Sequence, residues 1–170
     1  MAGLFVPISG PVTGSTVYSE NKLVARDTSF TLPEITPMVA ELQATGPMSL
    51  PVWSMIEALE TAITKIGVDE GLGRLIKPNM KPLEFRWAQT ITDANGVTKN
   101  VGCKAFIKGM PVNIPALAVT IGETIEGEVR IATVRYALYV DGQEVVLIDK
   151  MAGKVKIMGV DYAEPVNALL

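Results

Sequence analysis

The alternation of apolar and polar residues in the second half of the chain restricts its fold more than any other feature. Leu83, Phe85 and Trp87 are separated by single charged residues, and this period of two predicts a strand with one buried face. Residues 93–96, Asp-Ala-Asn-Gly, predict a hairpin turn, because Asn-Gly tolerates the positive φ angles of tight primed turns. A return strand is expected over residues 101–108, so this part of the chain is predicted to form an antiparallel sheet.

A change of buried face is predicted within residues 124–140. Val129 and Ile131 occupy odd positions, whereas Tyr136 and Leu138 occupy even ones. Since successive strand residues point to opposite sides, one straight strand cannot place all four in the same core. The pattern requires a bulge, a bend between sheets, or burial on both sides by different partners.

Shorter strands are predicted on either side of this region from their apolar and β-branched content. They are placed at residues 16–26, 28–32, 117–121, 144–149 and 154–157. Asp141-Gly142 provides a second hairpin turn. The residues after 157 are expected to form an irregular tail.

Residues 1–15 are predicted to form an extended arm, because several glycines and prolines interrupt them. Its apolar side chains Leu4, Phe5, Val6 and Ile8 are costly to leave in water. A frayed terminus and an arm that docks on a neighbouring subunit both fit this composition. The second alternative makes these four residues candidate inter-subunit contacts.

Residues 37–51 are predicted to be a long irregular loop, bounded by prolines and containing Gly46. Loops of this length in a compact domain are usually functional or disordered. Because this one is also apolar, we expect it to contact another subunit. The candidate contact residues are Met38, Val39, Leu42, Met48 and Leu50.

Residues 52–66 are compatible with two structures. Their apolar residues recur at the spacing of an amphipathic helix. Leu59, Thr61 and Ile63 also alternate with their neighbours, and the threonine and isoleucine content favours a strand. The pattern alone leaves both open.

Composition excludes several classes of protein. The 170 residues contain no histidine, which excludes imidazole-assisted nucleophiles and histidine-ligated zinc. Cys103 is the only cysteine, so no internal disulfide forms, and it is predicted to be a small core residue. The net charge of −3 argues against a basic nucleic-acid-binding surface. With 48% hydrophobic residues but no long uninterrupted apolar stretch, the chain is expected to meet another chain rather than a membrane.

No catalytic, cofactor or metal site is predicted. Residues 93–96 lack the further acidic ligands of a calcium loop. Gly71 and Gly73 lack the strand, third glycine and distal acid of a dinucleotide site. Glu126 and Glu128 form a carboxylate pair, but their surroundings predict solvated charges rather than acid–base chemistry.

Several segments together resemble the major tail tube proteins of contractile phages, a family that includes P2-like tail tubes and R-type pyocin tubes. The strongest similarity is at residues 136–149, Tyr-Ala-Leu-Tyr-Val-Asp-Gly-Gln-Glu-Val-Val-Leu-Ile-Asp, followed by 155–161, Val-Lys-Ile-Met-Gly-Val-Asp. This is similar to the family's hairpin with a central Val-Asp-Gly and its late Asn-Gly-Val-Asp element, with Met158 replacing asparagine.

Earlier segments extend the resemblance over residues 28–165. Residues 31–35, Thr-Leu-Pro-Glu-Ile, are similar to the family's Leu-Pro-Lys segment. Gly46-Pro-Met48 and the segment from Leu59 to Ile63 fall where the family has a Gly-Met loop and a Leu-Glu-Ala strand. The N-terminal arm lacks the family's Phe-x-x-Gly strand start.

The resemblance implies a mainly β fold, a small barrel or sandwich of two packed antiparallel sheets with one short flanking α-helix, similar also to the type VI secretion tube protein. It places a strand at residues 59–65 and the helix at 69–76, where Asp69 is a candidate N-cap. It implies a structural, non-enzymatic subunit of one domain that forms stacked hexameric rings, and we expect residues 37–51 to make the contacts between rings. The implied partners are its own copies and sheath, baseplate and tail terminator proteins, with DNA only transiently in the channel and no membrane. The implied location is the virion tail or an injection particle, assembled in the bacterial cytoplasm.

Glu126, Glu128 and Arg130 share the polar side of a predicted strand, so that side is expected to face water. In a ring, water lies at the outer surface or in the channel, and we favour the channel. There a mild negative charge repels DNA phosphates. A small monomeric β-barrel that carries an apolar ligand also fits the composition, and a protein that is monomeric at all concentrations would support it.

Overall fold

The computed structural model describes residues 7–170 and consists mainly of antiparallel strands. The strands are β1 (Ile8–Ser19), β2 (Lys22–Arg26), β3 (Ser29–Thr31), β4 (Pro37–Gln43), β5 (Pro47–Ile56), β6 (Leu59–Ile66), β7 (Lys81–Thr92), β8 (Thr98–Pro111), β9 (Glu126–Val140), β10 (Gln143–Asp149), β11 (Lys154–Ile157) and β12 (Val160–Asp161). The helices are α1 (Glu70–Ile76) and the short α2 (Glu164–Asn167).

A large sheet of ten strands carries the fold. Its hydrogen-bonded order is β12-β11-β10-β9-β8-β7-β1-β2, and β6 with β3 branches from β9. The first half of β9 pairs with β6 and the second half with β10. The arrangement is therefore sandwich-like, and no closed barrel forms within residues 7–170. The remaining strands, β4 and β5, form a separate hairpin.

The buried face of β9 changes at Val134. Before this residue Val129 and Ile131 are buried, and after it Tyr136, which has the opposite parity, is buried. The register between β9 and β8 shifts by one residue at the same place. The predicted change of face is confirmed, and its cause is a β-bulge.

One core cluster joins the two parts of the sheet. It includes Phe85 of β7, Ile107 of β8, Ile63 of β6 and Leu75 of α1, each at most 2% exposed. Burying a side chain of this size stabilises the fold by about 1.5–3 kcal/mol. Cys103 is buried as predicted, and burial raises the pKa of its thiol.

Side chains satisfy both ends of α1, as a short helix requires. Asp69 is the N-cap: its carboxylate accepts from the N–H of Leu72 at 3.0 Å and pairs with Nζ of Lys65 at 3.0 Å. At the other end the buried Lys81 donates from Nζ to three main-chain carbonyl groups at 2.6 to 3.0 Å. The predicted helix and its cap are confirmed.

Replacing Asp69 with alanine is expected to destabilise the fold by about 1–2 kcal/mol, because the N-cap acceptor is lost. The hydrogen bond from Lys65 is the main cause that lowers the pKa of Asp69 below its ordinary 3.8. A depressed folded-state pKa stabilises the protein above the pKa of the unfolded chain, and this contribution disappears as pH falls through the folded value. Chemical denaturation at pH 7 and at several values below pH 4 measures it.

The matched variant Asp69→Asn keeps a good N-cap but removes the charge. Its deficit relative to the parent is expected at pH 7 and should shrink as the parent carboxyl becomes protonated. A deficit that stays constant down to the lowest pH would contradict the role of the ion pair.

The strand predicted over residues 16–26 is two strands joined by a tight turn, so this prediction is wrong in its extent. Glu20 and Asn21 adopt φ angles of 51° and 65° between β1 and β2. Two consecutive residues in the left-handed region reverse the chain and end the strand.

The arm predicted for residues 1–15 is also wrong in part, because residues 8–15 belong to β1. Ile8 lies opposite Thr92 of β7. The register shift between Ser9 and Val12 accommodates Gly10 and Pro11, which otherwise disfavour a regular ladder. A second shift follows between Val12 and Gly14. Leu4, Phe5 and Val6 lie outside the described residues.

Residues 37–51 are regular rather than irregular, because β4 and β5 pair as an antiparallel hairpin. Prolines favour loops, but they are tolerated in strands that have a free edge. The helix alternative for residues 52–66 is wrong as well. The strand implied by the resemblance is confirmed as β6, in which Leu59, Thr61 and Ile63 are buried.

The strand predicted at residues 117–121 is absent from the structure. These residues lie in a segment without helix or strand, residues 112–125, which we call the strap. The tail is more regular than predicted, since it contains β12 and α2. The strands predicted at residues 28–32, 144–149 and 154–157 are confirmed with small changes in their bounds.

Candidate functional site

The hairpin of β4 and β5 has one apolar face. Across this face Met38 pairs with Val52, Ala40 with Leu50, and Leu42 with Met48. Four of the five predicted contact residues therefore share one side, and each remains 42 to 49% exposed. The fifth, Val39, pairs with Pro51 on the other side of the hairpin. These apolar residues and their partners form one continuous surface. We call it the hairpin face, and it consists of Met38, Ala40, Leu42, Met48, Leu50 and Val52.

The hairpin is attached to the body mainly at its base. Lys150 donates from Nζ to the carbonyl of Ile56 at 2.8 Å, and Glu57 donates its N–H to Thr36. Within residues 7–170, neither β4 nor β5 pairs with a strand of the large sheet. A two-stranded hairpin is at best marginally stable alone in water. Its ordering therefore requires a surface that covers the hairpin face.

The candidate lumen residues lie together on the outer side of β9. Glu126, Glu128 and Arg130 are all exposed, and the intervening Val129 is fully buried. In the pairing of β6 with β9, Thr64 of β6 lies opposite Glu128. The predicted alternation is confirmed, and we call Glu126, Glu128 and Arg130 the acidic strip.

Asn113 fixes the strap against the acidic strip. Its side-chain oxygen accepts from the N–H of Arg130 at 2.7 Å, and its side-chain nitrogen donates to the carbonyl of Glu128 at 3.0 Å. The N–H of Val112 also donates to the carbonyl of Arg130. These bonds replace a strand partner along the free edge of β9 and hold the strap in place.

A cationic face on the large sheet was missed by sequence reasoning. Arg86 of β7 lies directly opposite Lys104 of β8, and Lys108 of β8 lies directly opposite Arg135 of β9. Like charges in this position destabilise an antiparallel pair. Carboxylates pair with the two arginines, but neither lysine has an acidic partner within the described chain. Alternation shows that these lysines avoid the core, but only the register shows that the cations meet.

A pocket of about 820 Å³ lies on the same cationic face. The guanidinium of Arg86 lies 4.6 Å from the ring centroid of Tyr18. Phe106 and Tyr139 meet edge to face at 5.5 Å between centroids. The pocket thus combines exposed aromatic and cationic groups, a surface unlike the closed apolar cavity of a ligand-carrying barrel.

Groups with chemical reactivity are sparse in residues 7–170. No three carboxylates or thiols converge there to hold a metal ion. The acidic residue of the 93–96 turn is used locally, since the Asp93 carboxylate accepts from the N–H groups of Asn95 and Val97. No helix in this part of the chain is long and apolar enough to cross a bilayer.

Comparison with known families decides between the remaining interpretations. The family model for phage tail tube protein FII matches residues 12–170. The chain belongs to the phage tail tube protein FII family. The tube protein therefore has a structural role in a tail tube, and the resemblance found in its sequence is confirmed. No curated protein matches the sequence significantly.

Two solved structures share the fold of this tube protein. One is a chain of the extended-state sheath–tube complex of an extracellular contractile injection system, PVC, with 13% identity and a TM-score of 0.51 over 76% of this chain and 90% of that chain. The other is a chain of the sheath/tube terminator of the same kind of system, with 16% identity and a TM-score of 0.52 over 81% and 99% of the two chains. At these identities the likeness concerns the fold alone.

Proposed function

We propose that this tube protein assembles with copies of itself into hexameric rings that stack around a central channel. The rings form the inner tube of a contractile phage tail or a related injection particle. The observation that carries the proposal is the hairpin face on a chain of the tail tube family, an ordered apolar surface that the rest of residues 7–170 leaves exposed. Exposed apolar surfaces of this kind mark contacts between chains.

The large sheet supports closure of a ring. Within the described residues its main path ends at β2 on one side and at β12 on the other, so each subunit has a free edge at both ends of this path. Free edges promote uncontrolled pairing unless they are covered. A cyclic arrangement covers every such edge by using the same heterologous contact between each pair of neighbours.

The acidic strip is our candidate for the channel lining. Glu126 and Glu128 outnumber Arg130 on an exposed and ordered strand. A net negative wall repels phosphates, which lets DNA pass without being held. The cationic face is then directed toward other protein, where its lysines meet acidic partners that they lack among residues 7–170 of their own chain.

The proposed partners follow from the same role. Sheath, baseplate and tail terminator proteins are expected to meet the outer surface and the ends of the tube. DNA is a transient occupant of the channel where the particle is a phage. The proposed location is the tail of the virion or particle, assembled in the cytoplasm of the bacterial host, and no catalysis is proposed.

Purified protein is expected to form rings or tubes as its concentration rises. Sedimentation measures the assembly, and negative-stain imaging with class averaging counts the subunits in each ring. Rings with six subunits would support the hexamer. A protein that sediments only as a monomer at high concentration would overturn the proposal and favour the carrier of a small ligand.

A further inference from the structure

The strap contains a segment with the sequence of a strand but without a partner. Leu117, Val119 and Ile121 alternate with Ala118 and Thr120, which is the pattern of a half-buried strand. Yet these three apolar side chains are 38%, 80% and 104% exposed. The segment has the composition for pairing, and no strand within residues 7–170 pairs with it.

The backbone of this segment is equally unpaired. From residue 116 to residue 121 no main-chain N–H donates a hydrogen bond within the described chain, and only the carbonyl of Thr120 accepts one, from Glu123. The segment is nevertheless anchored before and after, by Asn113 on β9 and by the bond from Gly67 to Ile125. It is an anchored segment whose backbone lacks a partner within residues 7–170, and a segment of this kind can add to an open sheet edge as a new strand.

The hairpin of β4 and β5 offers one suitable edge. Pro47 and Pro51 lie four residues apart in β5, so their nitrogens point to the same edge. A proline in a sheet is tolerated where its nitrogen faces away from the ladder. The outer edge of β5 therefore lacks two donors. Since these prolines lie opposite Gln43 and Val39, the outward groups of β4 are those of Val39, Glu41 and Gln43, and all three have their N–H.

We infer that the segment Leu117–Ile121 of one copy pairs with β4 of a neighbouring copy and forms a three-stranded sheet. The inference rests on the proposed tube assembly. The pairing gives the backbone of the strap its missing partner. It also stabilises the hairpin, because a two-stranded hairpin becomes independently stable when a third strand and an apolar face are added. In this arrangement Leu117, Val119 and Ile121 extend the hairpin face beside Met38 and Leu42.

Hydrogen exchange tests the pairing directly. In unassembled protein the amides of residues 117–121 have no acceptor among residues 7–170 and should exchange fast. In tubes the amides on the pairing side of this segment, together with Val39, Glu41 and Gln43, should exchange about 100-fold more slowly or beyond. Unchanged strap amides in well-formed tubes would overturn the inference while the tube proposal stands. Failure to assemble at any concentration would overturn both.

Cross-linking identifies the partner strand. In a Cys103→Ala background, the variants Glu41→Cys and Thr120→Cys place thiols on the side of the proposed sheet away from the hairpin face. Mixed and oxidised, they should give a disulfide-linked pair of chains, as should Glu41→Cys with Ala118→Cys in the neighbouring register. Glu41→Cys mixed with Glu70→Cys on α1 is the control and should stay unlinked. Protected strap amides without either cross-link would show that the strap pairs elsewhere, which overturns its assignment to β4.

Discussion

Replacing four residues of the hairpin face with serine is expected to leave a folded protein that no longer elongates into tubes. The four residues are Met38, Leu42, Met48 and Leu50. These side chains are already 42 to 49% exposed in the single chain, so the body of the fold loses little. Completing their burial against a neighbour contributes about 1 kcal/mol each, roughly half of the full value for such residues. Losing about 4 kcal/mol weakens each contact about a thousandfold. Sedimentation and negative-stain imaging measure the loss.

The control for this variant replaces apolar residues that are at least as exposed but lie outside the hairpin. Val97→Ser and Met151→Ser remove side chains that are 62% and 78% exposed. Both should assemble like the parent, and denaturation should show all variants to be folded. Normal tubes from the fourfold serine variant would refute the hairpin face as the contact between rings. A separate Val39→Ser variant shows whether the residue on the opposite side of the hairpin contributes.

Lysine at both Glu126 and Glu128 is expected to turn a channel that lets DNA slide into one that holds it. Each substitution changes the charge by two units, so every subunit gains four units of positive charge on an exposed strand. With about six phosphates contacted, the affinity for DNA should fall about a thousandfold between roughly 50 and 200 mM salt. The measurements are DNA retention or passage in assembled particles at several salt concentrations, after imaging shows intact tubes.

The control for this variant is a charge change of opposite sign on the cationic face. Lys104→Glu with Lys108→Glu changes the charge by the same amount in the opposite direction on the other exposed sheet surface. If the acidic strip lines the channel, this second variant should leave DNA retention unchanged and instead alter contacts with protein. If only the second variant changes DNA behaviour, the channel lining is the cationic face and the lumen assignment of Glu126, Glu128 and Arg130 is wrong. The identification as a tube protein is unaffected by either result.

Sequence alone predicted the elements whose structure is decided by near neighbours. The hairpin turns at Asn95-Gly96 and Asp141-Gly142 form because few other residues tolerate their backbone angles, and Gly96 and Gly142 do have positive φ. The Asp69 cap needs only the N–H groups of the next turn. The two-residue period around Phe85 reports burial of one face whatever covers it.

Tertiary structure decided the elements that depend on a distant partner. Residues 52–66 carry both periods, and β6 is a strand because β9 and β3 supply the hydrogen bonds on its two sides. The prolines of residues 37–51 suggested a loop, yet they fit a hairpin whose outer edge is free.

The surface features also fall into those that the sequence predicted and those that only the tertiary structure decided. Alternation was enough to show that Glu126 and Glu128 avoid the core, because side-chain direction is a property of the strand itself. Other surface features depend on register and on which edges meet. They are the opposed cations Lys108 and Arg135, the shared side of Met38 and Leu42 with their partners, and the unpaired strap. A strand's sequence specifies what it can bury, whereas its hydrogen-bond partner is chosen by the rest of the fold, and for the strap, by our inference, only by another copy.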